Sequence, residues 1–388
     1  MTSYLFIFGR SPELAYQELS AVSLIPPKFL TDDVACIEDM TGIIDTQSWI
    51  HRLGGIVKIA RKLGESTVLT PNYLVEHLEG TPGETLVFGV SLYGTSGLVD
   101  SNFLREMKEL LARKNIRSRF VMPHEGDTLS SVVVTKQKVS EVVVVYAGGV
   151  YIIGQTQNVQ DFEAWNMRDY GRPYADPKSG MLPPKTARMA VNVAKQSKVE
   201  SRKSKVLLDP FCGMGTIVGE ALFVGWNTIG SDQSEDVVQK AKKNIEWVTG
   251  LNPVRKQDLT TTHLQFIVSD ATHISVHVAR ESVDAIVTEP FMGRNDQQPM
   301  TIDQAKNRIK GLEKLYIGCL KEWLKILKSE GSVVIALPEY HVSGRIFFVK
   351  NVIDRCETLG YTVSAGPLSY SRPQAVVRRQ FYIFQRIT

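Results

Sequence analysis

From Val206 onward, short apolar runs alternate with helical stretches, and that alternation limits the fold more than any other feature of the chain. Val206-Leu207-Leu208 reads as a buried strand leading into the turn Asp209-Pro210-Phe211-Cys212-Gly213-Met214-Gly215-Thr216, followed by a helix through Val224. Asn227 to Gly230, Phe266 to Val268 and Ala285 to Val287 are further strands, ending at Asp232, at Asp270 and at Thr288-Glu289-Pro290. Between and after them lie a helix from Glu235 to Val248 and a longer one with Ile309, Leu312, Tyr316, Cys319, Leu320, Trp323, Leu324 and Leu327 at three-four spacing. Ser332 to Ala336 and Gln380 to Gln385 close the series as strands. Strands joined by helices pair in parallel, so a doubly wound α/β sheet is expected, with ligands at the carboxyl ends of its strands.

The residues at those carboxyl ends form an ordered set. Gly213 and Gly215 sit between a buried strand and a helix, where glycine lets the backbone approach a ligand without a β-carbon clash. Asp232, at the end of the next strand, can accept hydrogen bonds from both hydroxyls of a ribose, and Asp270 can reach an adenine amino group. A lone G-x-G is more often a tight turn, and Asp at a strand end is common turn chemistry; the ordered combination points to a nucleoside. Gly213, Gly215 and Gly219 also fit some NADP-binding turns, which keeps a dehydrogenase as an alternative. Against it, Asp209 stands where a carboxylate would repel a pyrophosphate but meet the cationic end of S-adenosylmethionine (SAM), and no basic residue near Asp232 waits for a 2′-phosphate. The expected cofactor is SAM, held by Asp209, Phe211, Gly213, Gly215, Thr216, Asp232 and Asp270; no metal is implied.

Thr288-Glu289-Pro290-Phe291-Met292-Gly293 occupies the strand end where methyl transfer to an exocyclic amine would take place. There a polar side chain and the neighbouring carbonyl orient the amine lone pair toward the methyl carbon. An aromatic ring stacks on a base swung out of its helix. Glu289 and Pro290 are the expected acceptors and Phe291 the stacking face; the plainer alternative is a strand-ending turn.

The first part of the chain is different. Tyr4 to Phe8 reads as a strand and Pro12 to Val22 as a helix with Leu14 and Leu19 inward. Leu86 to Tyr93, Val132 to Val134, Val142 to Val145 and Tyr151 to Ile153 read as strands, the last two joined by the Gly148-Gly149 turn. Asn102 is the expected cap of a helix carrying Leu104, Met107, Leu110 and Leu111 on one face. The net charge of +4 barely favours a polyanionic partner. The local run Arg105, Lys108, Arg113, Lys114, Arg117 and Arg119, against Glu106 and Glu109, says more, although a solvated helix face has the same composition. From Asp161 to Pro184, Tyr, Trp, Arg, Pro and Gly replace periodic pattern, as in a linker too long to be idle. No stretch approaches the roughly 20 apolar residues of a membrane span. No basic leader precedes the first apolar run, so no secretion signal is expected. The four cysteines are scattered without a C-x-x-C pair, which fits a reducing cytoplasm.

With these residues in place, the chain resembles the THUMP-domain tRNA guanine-N2 methyltransferases of archaea and eukaryotes. Tyr4-Leu5-Phe6-Ile7-Phe8-Gly9-Arg10-Ser11-Pro12-Glu13-Leu14 looks like that family's N-terminal ferredoxin-like segment, and residues 84–156 look like THUMP. Arg168-Asp169-Tyr170-Gly171-Arg172-Pro173, Pro183-Pro184-Lys185-Thr186-Ala187-Arg188-Met189, the SAM turn, and Tyr370-Ser371-Arg372-Pro373 also match it. The resemblance implies a ferredoxin-like segment (1–83), a THUMP-like RNA-binding domain (84–156), a linker (157–190) and a Rossmann-like SAM methyltransferase domain (191–388). It implies methylation of the exocyclic N2 of a tRNA guanosine, with the basic run from Arg105 on phosphates. Eukaryotic relatives use a small activator protein, for which the sequence offers no docking surface. One departure stands out: the family pattern Asp-Pro-Pro-Tyr is here Glu289-Pro290-Phe291-Met292. The longer acid and lost proline keep open a tRNA- and SAM-binding factor with slow or no transfer, and the general likeness of the catalytic-strand pattern keeps open a DNA amine methyltransferase.

Overall fold

The computed structural model describes residues 2–175, 181–194, 205–250, 263–293, 300–371 and 377–387. It divides into two compact units, Met1–Glu163 and Ala164–Thr388.

The first unit is built on one eight-stranded sheet in the order β2-β3-β1-β4-β8-β7-β5-β6. Its strands are β1 (Thr2–Phe8), β2 (Lys28–Thr31), β3 (Val34–Asp39), β4 (Ile56–Ser66), β5 (Leu86–Tyr93), β6 (Ser118–Phe120), β7 (Ser140–Ala147) and β8 (Val150–Val159). The pairing of β4 with β8 carries the sheet without a break through both ranges into which the sequence divides this unit. Lys58 of β4 and Glu141 of β7, both fully buried, form an ion pair inside it, and Ser91 and Thr156 donate hydrogen bonds to the same carboxylate at 2.5 and 2.6 Å.

The helix Pro12–Val22 buries Leu14 and Leu19 as expected. The helix Ser101–Arg113 buries Leu104, Met107 and Leu111 against Phe88, Val90, Val142 and Val144. Its cap is Asp100, not Asn102: the Asp100 carboxylate accepts from the Phe103 N–H at 2.8 Å, and an ionised acceptor at the helix start outcompetes an amide two positions on. Val132 to Val134 is helical, within Ser131–Lys136, and not a strand. Ser130 caps that turn through the Val133 N–H and only Val134 is buried, so local capping overrides β-branched propensity.

The second unit carries a sheet in the order β11-β10-β9-β12-β13-β16-β15, with β14 paired to β13. The strands are β9 (Val206–Asp209), β10 (Asn227–Asp232), β11 (Leu264–Val268), β12 (Val283–Thr288), β13 (Leu327–Val342), β14 (Arg345–Phe348), β15 (Tyr361–Tyr370) and β16 (Val377–Arg386). The pairs from β11 to β13 are parallel, as the alternation predicts. β16 departs from this by running antiparallel between β13 and β15. The chain leaves β9 toward β10 and returns to its other side at β12, so the order reverses between β9 and β12, and a crevice opens there. One face of the sheet is covered by the helix Ile302–Trp323, whose Ile309, Leu312, Tyr316 and Leu320 pack on Leu208, Ile286, Val333 and Ile335. That helix ends at Trp323; Leu327, expected on it, opens β13. Helices Thr216–Phe223 and Glu235–Gly250 join through Val218, Leu222, Ala241 and Ile245.

The stretch that reads as a linker holds two helices, Phe162–Tyr170 and Pro184–Val193. Trp165 is buried, with the Arg168 guanidinium 4.1 Å and the Arg188 guanidinium 5.4 Å from its ring centroid. Both arginines pair with Glu220 of the helix Thr216–Phe223, whose side chain is 3% exposed. Arginines buried this way remove the polar face that would have marked the helices in sequence. Replacing Glu220 with alanine would strand two guanidinium groups, and is expected to cost about 3–5 kcal/mol in urea unfolding of the full chain. A loss below about 1 kcal/mol would show that the arginines do not depend on this partner.

Candidate active site

Four successive strands of the second unit end in an acid or pass directly into one: β9 in Asp209, β10 in Asp232, β11 two residues before Asp270, and β12 immediately before Glu289. These carboxylates line a single cavity of about 600 Å³, together with Phe211, Gly213, Thr216, Pro290, Phe291 and Met292. The volume lies inside the roughly 300–1,000 Å³ range of small-molecule sites. No Lys, Arg or His is among the described residues that line it.

The turn is built by backbone conformation. Gly213 and Gly215 have φ of +48° and +85°, the left-handed region that L side chains avoid. A β-carbon on Gly213 would meet nothing closer than 4.0 Å, so the glycine there serves conformation and leaves its surroundings open. Gly215 caps the helix Thr216–Phe223. Gly219, which suggested an NADP turn, lies inside that helix, where a β-carbon would come 3.2 Å from Ile245 Cδ1; it does not line the cavity.

Asp209 is 1% exposed and accepts from the Thr288 hydroxyl at 2.8 Å and the Phe211 N–H at 3.2 Å. Burial pushes its pKa up to about 7 against those two hydrogen bonds, and the charges of Asp232 and Glu289 add to the rise. Asp232 accepts from the Gly213 N–H at 3.3 Å and the Ser234 N–H at 3.0 Å, so it holds the glycine turn to β10. Asp270 is exposed and accepts from the N–H and hydroxyl of Thr272, each at 2.8 Å; the backbone bond leads in holding its pKa below the usual range.

The loop after β12 is pinned from beneath. The Tyr316 hydroxyl donates to the Phe291 carbonyl at 2.7 Å, and the Tyr340 hydroxyl donates to the Met292 carbonyl. Pro290 is buried, whereas Phe291 is 52% exposed and lines the cavity. Glu289 forms an ion pair with Arg379 of β16.

Thus the residues singled out in this unit, Asp209, Phe211, Gly213, Thr216, Asp232, Asp270, Glu289, Pro290 and Phe291, all line the one cavity. Gly215 stands directly behind it as the cap. Thr216 is also tied outward, its hydroxyl accepting from Arg172 at 2.7 Å. Asn244, buried on the helix Glu235–Gly250, donates to the carbonyls of Met214 and Tyr174 at 3.0 and 2.9 Å, fastening the preceding segment to the turn. Sequence reasoning missed Thr288, Tyr316, Tyr340, Asn244 and Arg379. Only the likeness around Tyr370-Ser371-Arg372-Pro373 hinted at the last, and its Arg372 and Pro373 lie outside the described residues. In the first unit, Arg105, Lys108, Arg113, Lys114, Arg117 and Arg119 are all exposed, with Arg105 bonded to Asn102 and Arg119 to Gln137.

Comparison with known proteins agrees with this geometry. A family model described as a methyltransferase domain matches residues 201–364. The tRNA (guanine(10)-N2)-dimethyltransferase of Pyrococcus abyssi (strain GE5 / Orsay) is 30% identical over 214 residues, 55% of this chain and 52% of that protein. The enzyme of the same name from Methanothermobacter thermautotrophicus is 31% identical over 173 residues, 45% of this chain and 43% of that one. The chain is thus matched over about half the length of these curated relatives. A solved structure of a possible methylase from Clostridium difficile 630 covers 100% of this chain and 98% of its own, with a TM-score of 0.53 at 14% identity, a likeness of fold. The relatives bear out the resemblance over about half of the chain, and the second unit has a Rossmann-like methyltransferase fold. Among the described residues, no helix is long and apolar enough to cross a membrane.

Proposed function

We propose that the chain is a SAM-dependent methyltransferase acting on the exocyclic N2 of a guanosine in tRNA. The observation that carries the reading is the charge of the cavity: four carboxylates and no basic side chain among its described lining residues. Such a site repels the phosphates of a dinucleotide and suits a cofactor with a sulfonium and an ammonium group. Asp232 would hold the ribose, Asp270 the adenine edge, and Asp209 with the Gly213 turn the cationic end, with Phe211, Gly215 and Thr216 shaping the turn around it. Bound there, SAM would supply a methyl carbon for attack by the amine nitrogen, with the thioether leaving and one amine proton released to water. Glu289 and the Pro290 carbonyl would accept the amine N–H bonds and fix the nitrogen lone pair, while Phe291 stacks on the base.

The tRNA assignment rests on the names of the relatives and on the exposed basic run of the first unit. On this reading residues 1–83 and 84–156 serve as ferredoxin-like and THUMP-like parts of an RNA-gripping unit, residues 191–388 catalyse, and the protein works in the cytoplasm. Replacing Arg113 and Lys114 together by glutamate is expected to weaken tRNA binding and lower the slope of log affinity against log salt by about 2, with SAM affinity unchanged. An unaltered slope would remove those two residues from the RNA surface.

Asp209 makes cofactor affinity depend on pH. Below pH 7 its carboxyl holds a proton in the free protein, and a neutral acid does not attract a cation. Binding the cation expels that proton, so affinity should rise by up to about tenfold between pH 6 and 8, with its midpoint near 7, and level off above. Calorimetric titrations across this range should show the rise in the wild type and a flat profile in Asp209→Asn. Equal slopes in both proteins would place the titrating group elsewhere.

The deciding experiment is transfer of labelled methyl from SAM to unmodified bulk tRNA, followed by nucleoside analysis. N2-methylated guanosine is the expected product. Binding of SAM and tRNA without transfer would reassign the chain as a binding factor, and preferential labelling of duplex DNA would reassign its substrate.

A further inference from the structure

We propose that Arg379 is a positioning residue for the transfer step, holding the Glu289 carboxylate at the edge of the cavity, and that the glutamate side chain is required here because only it reaches that arginine. The inference rests on the reaction proposed above and concerns a residue outside the cavity lining.

The distances involved make the case. Glu289 follows directly on Thr288 at the end of β12, and Thr288 is in register with Ile335 of β13. Arg379 lies on β16, in register with Pro338 of β13. The two residues are therefore on strands separated by a third. Neighbouring strands lie about 4.8 Å apart and the two positions are offset by two residues, about 7 Å, along them, so the backbones are roughly 12 Å from each other across β13. The Arg379 Nε meets the Glu289 carboxylate within that gap, so each side chain must close part of it. Aspartate, the residue of the family pattern that this chain resembles, is shorter by one carbon–carbon bond of about 1.5 Å. The extra methylene, which at first sight pushes the acid out of line, is taken up sideways in the reach toward Arg379.

The setting favours a firm pair. The side chains of Glu289 and Arg379 are 15% and 11% exposed, so water competes weakly for either. Arg379 is steadied from its other side, its guanidinium 6.0 Å from the ring centroid of Tyr370 on β15. The Arg379 Nε–H donates to one Glu289 oxygen, Oε1; a carboxylate offers about four lone-pair positions, which leaves capacity for the amine N–H groups of a substrate. The carbonyls of Phe291 and Met292 are held by Tyr316 and Tyr340, so these two residues are fixed without Arg379.

The test uses the full-length protein with SAM and unmodified tRNA, reading kcat and, separately, SAM Kd. Arg379→Ala and Glu289→Asp are each expected to lower kcat by about 100-fold, the scale of a 1 Å misplacement, while SAM Kd stays within about twofold. Arg379→Lys, which keeps the charge but loses the Nε donor and the planar guanidinium, should fall between wild type and Arg379→Ala. Because the two residues act through one contact, the double variant Glu289→Asp with Arg379→Ala should be no slower than the slower single. Wild-type turnover by Glu289→Asp, by Arg379→Ala, or losses that multiply in the double variant, would overturn the inference. If the wild type transfers no methyl to tRNA, the proposed reaction itself falls and takes the inference with it. A methylating wild type with an indifferent Arg379→Ala would sink the inference alone.

Discussion

Replacement of Glu289 by alanine is expected to reduce kcat for methyl transfer by on the order of 10²- to 10³-fold, with SAM bound as tightly as before. The magnitude is that of removing one preorganised group aimed at the reacting atoms. The separation of effects follows from the layout of the cavity. The acids placed on the cofactor, Asp209, Asp232 and Asp270, lie at the ends of β9, β10 and β11, whereas Glu289 follows β12 across the point where strand order reverses. The loop beyond it stays in place without the carboxylate, since its carbonyls are held by Tyr316 and Tyr340. Single-turnover rates and equilibrium SAM binding on the same preparation would check this. Full activity in the variant would transfer the orienting role to the Pro290 carbonyl alone, and a lost SAM affinity would mean that Glu289 belongs to the cofactor site.

Removal of the Asp232 carboxylate should act on binding. The side chain is expected to accept from two ribose hydroxyls, and hydrogen bonds to a charged acceptor contribute about 1.5–3 kcal/mol each. Asp232→Ala also releases the Gly213 and Ser234 N–H groups, loosening the turn that the cofactor meets. A loss of about 3 kcal/mol, or somewhat over 100-fold in SAM Kd, is the expected result. Saturating SAM should restore a large part of the turnover if the acid holds the ribose and not the transferring methyl. A Kd within threefold of wild type would exclude the ribose role.

Much of this site was legible because it lies where strands stop. Asp209, Asp232, Asp270 and Glu289 each follow a short apolar run, and a run that ends in an acid before a helix announces both its direction and its rim. What stayed hidden depends on lateral neighbours, about which periodicity says nothing. Arg379 matters through a residue two strands away, and Thr288 through a hydroxyl that meets Asp209 from the adjacent strand. The helices within 157–190 were obscured because Arg168, Arg188 and Trp165 bury the surfaces that polar periodicity would assign to solvent. Val132 to Val134 failed for the opposite reason, a local cap at Ser130 deciding against strand-forming side chains.

The unbroken sheet of the first unit bears on how such a chain can be cut and recombined. Sequence divides the unit near residue 83, yet β4 from one side of that point lies hydrogen-bonded to β8 from the other. Excising residues 84–156 as a free-standing RNA-binding fragment would bare the edge of β8, a template for intermolecular pairing. It would also leave Glu141 buried without Lys58. A graft or expression fragment that respects the architecture therefore takes the unit whole, with its amino-terminal strands serving as the missing half of the same fabric.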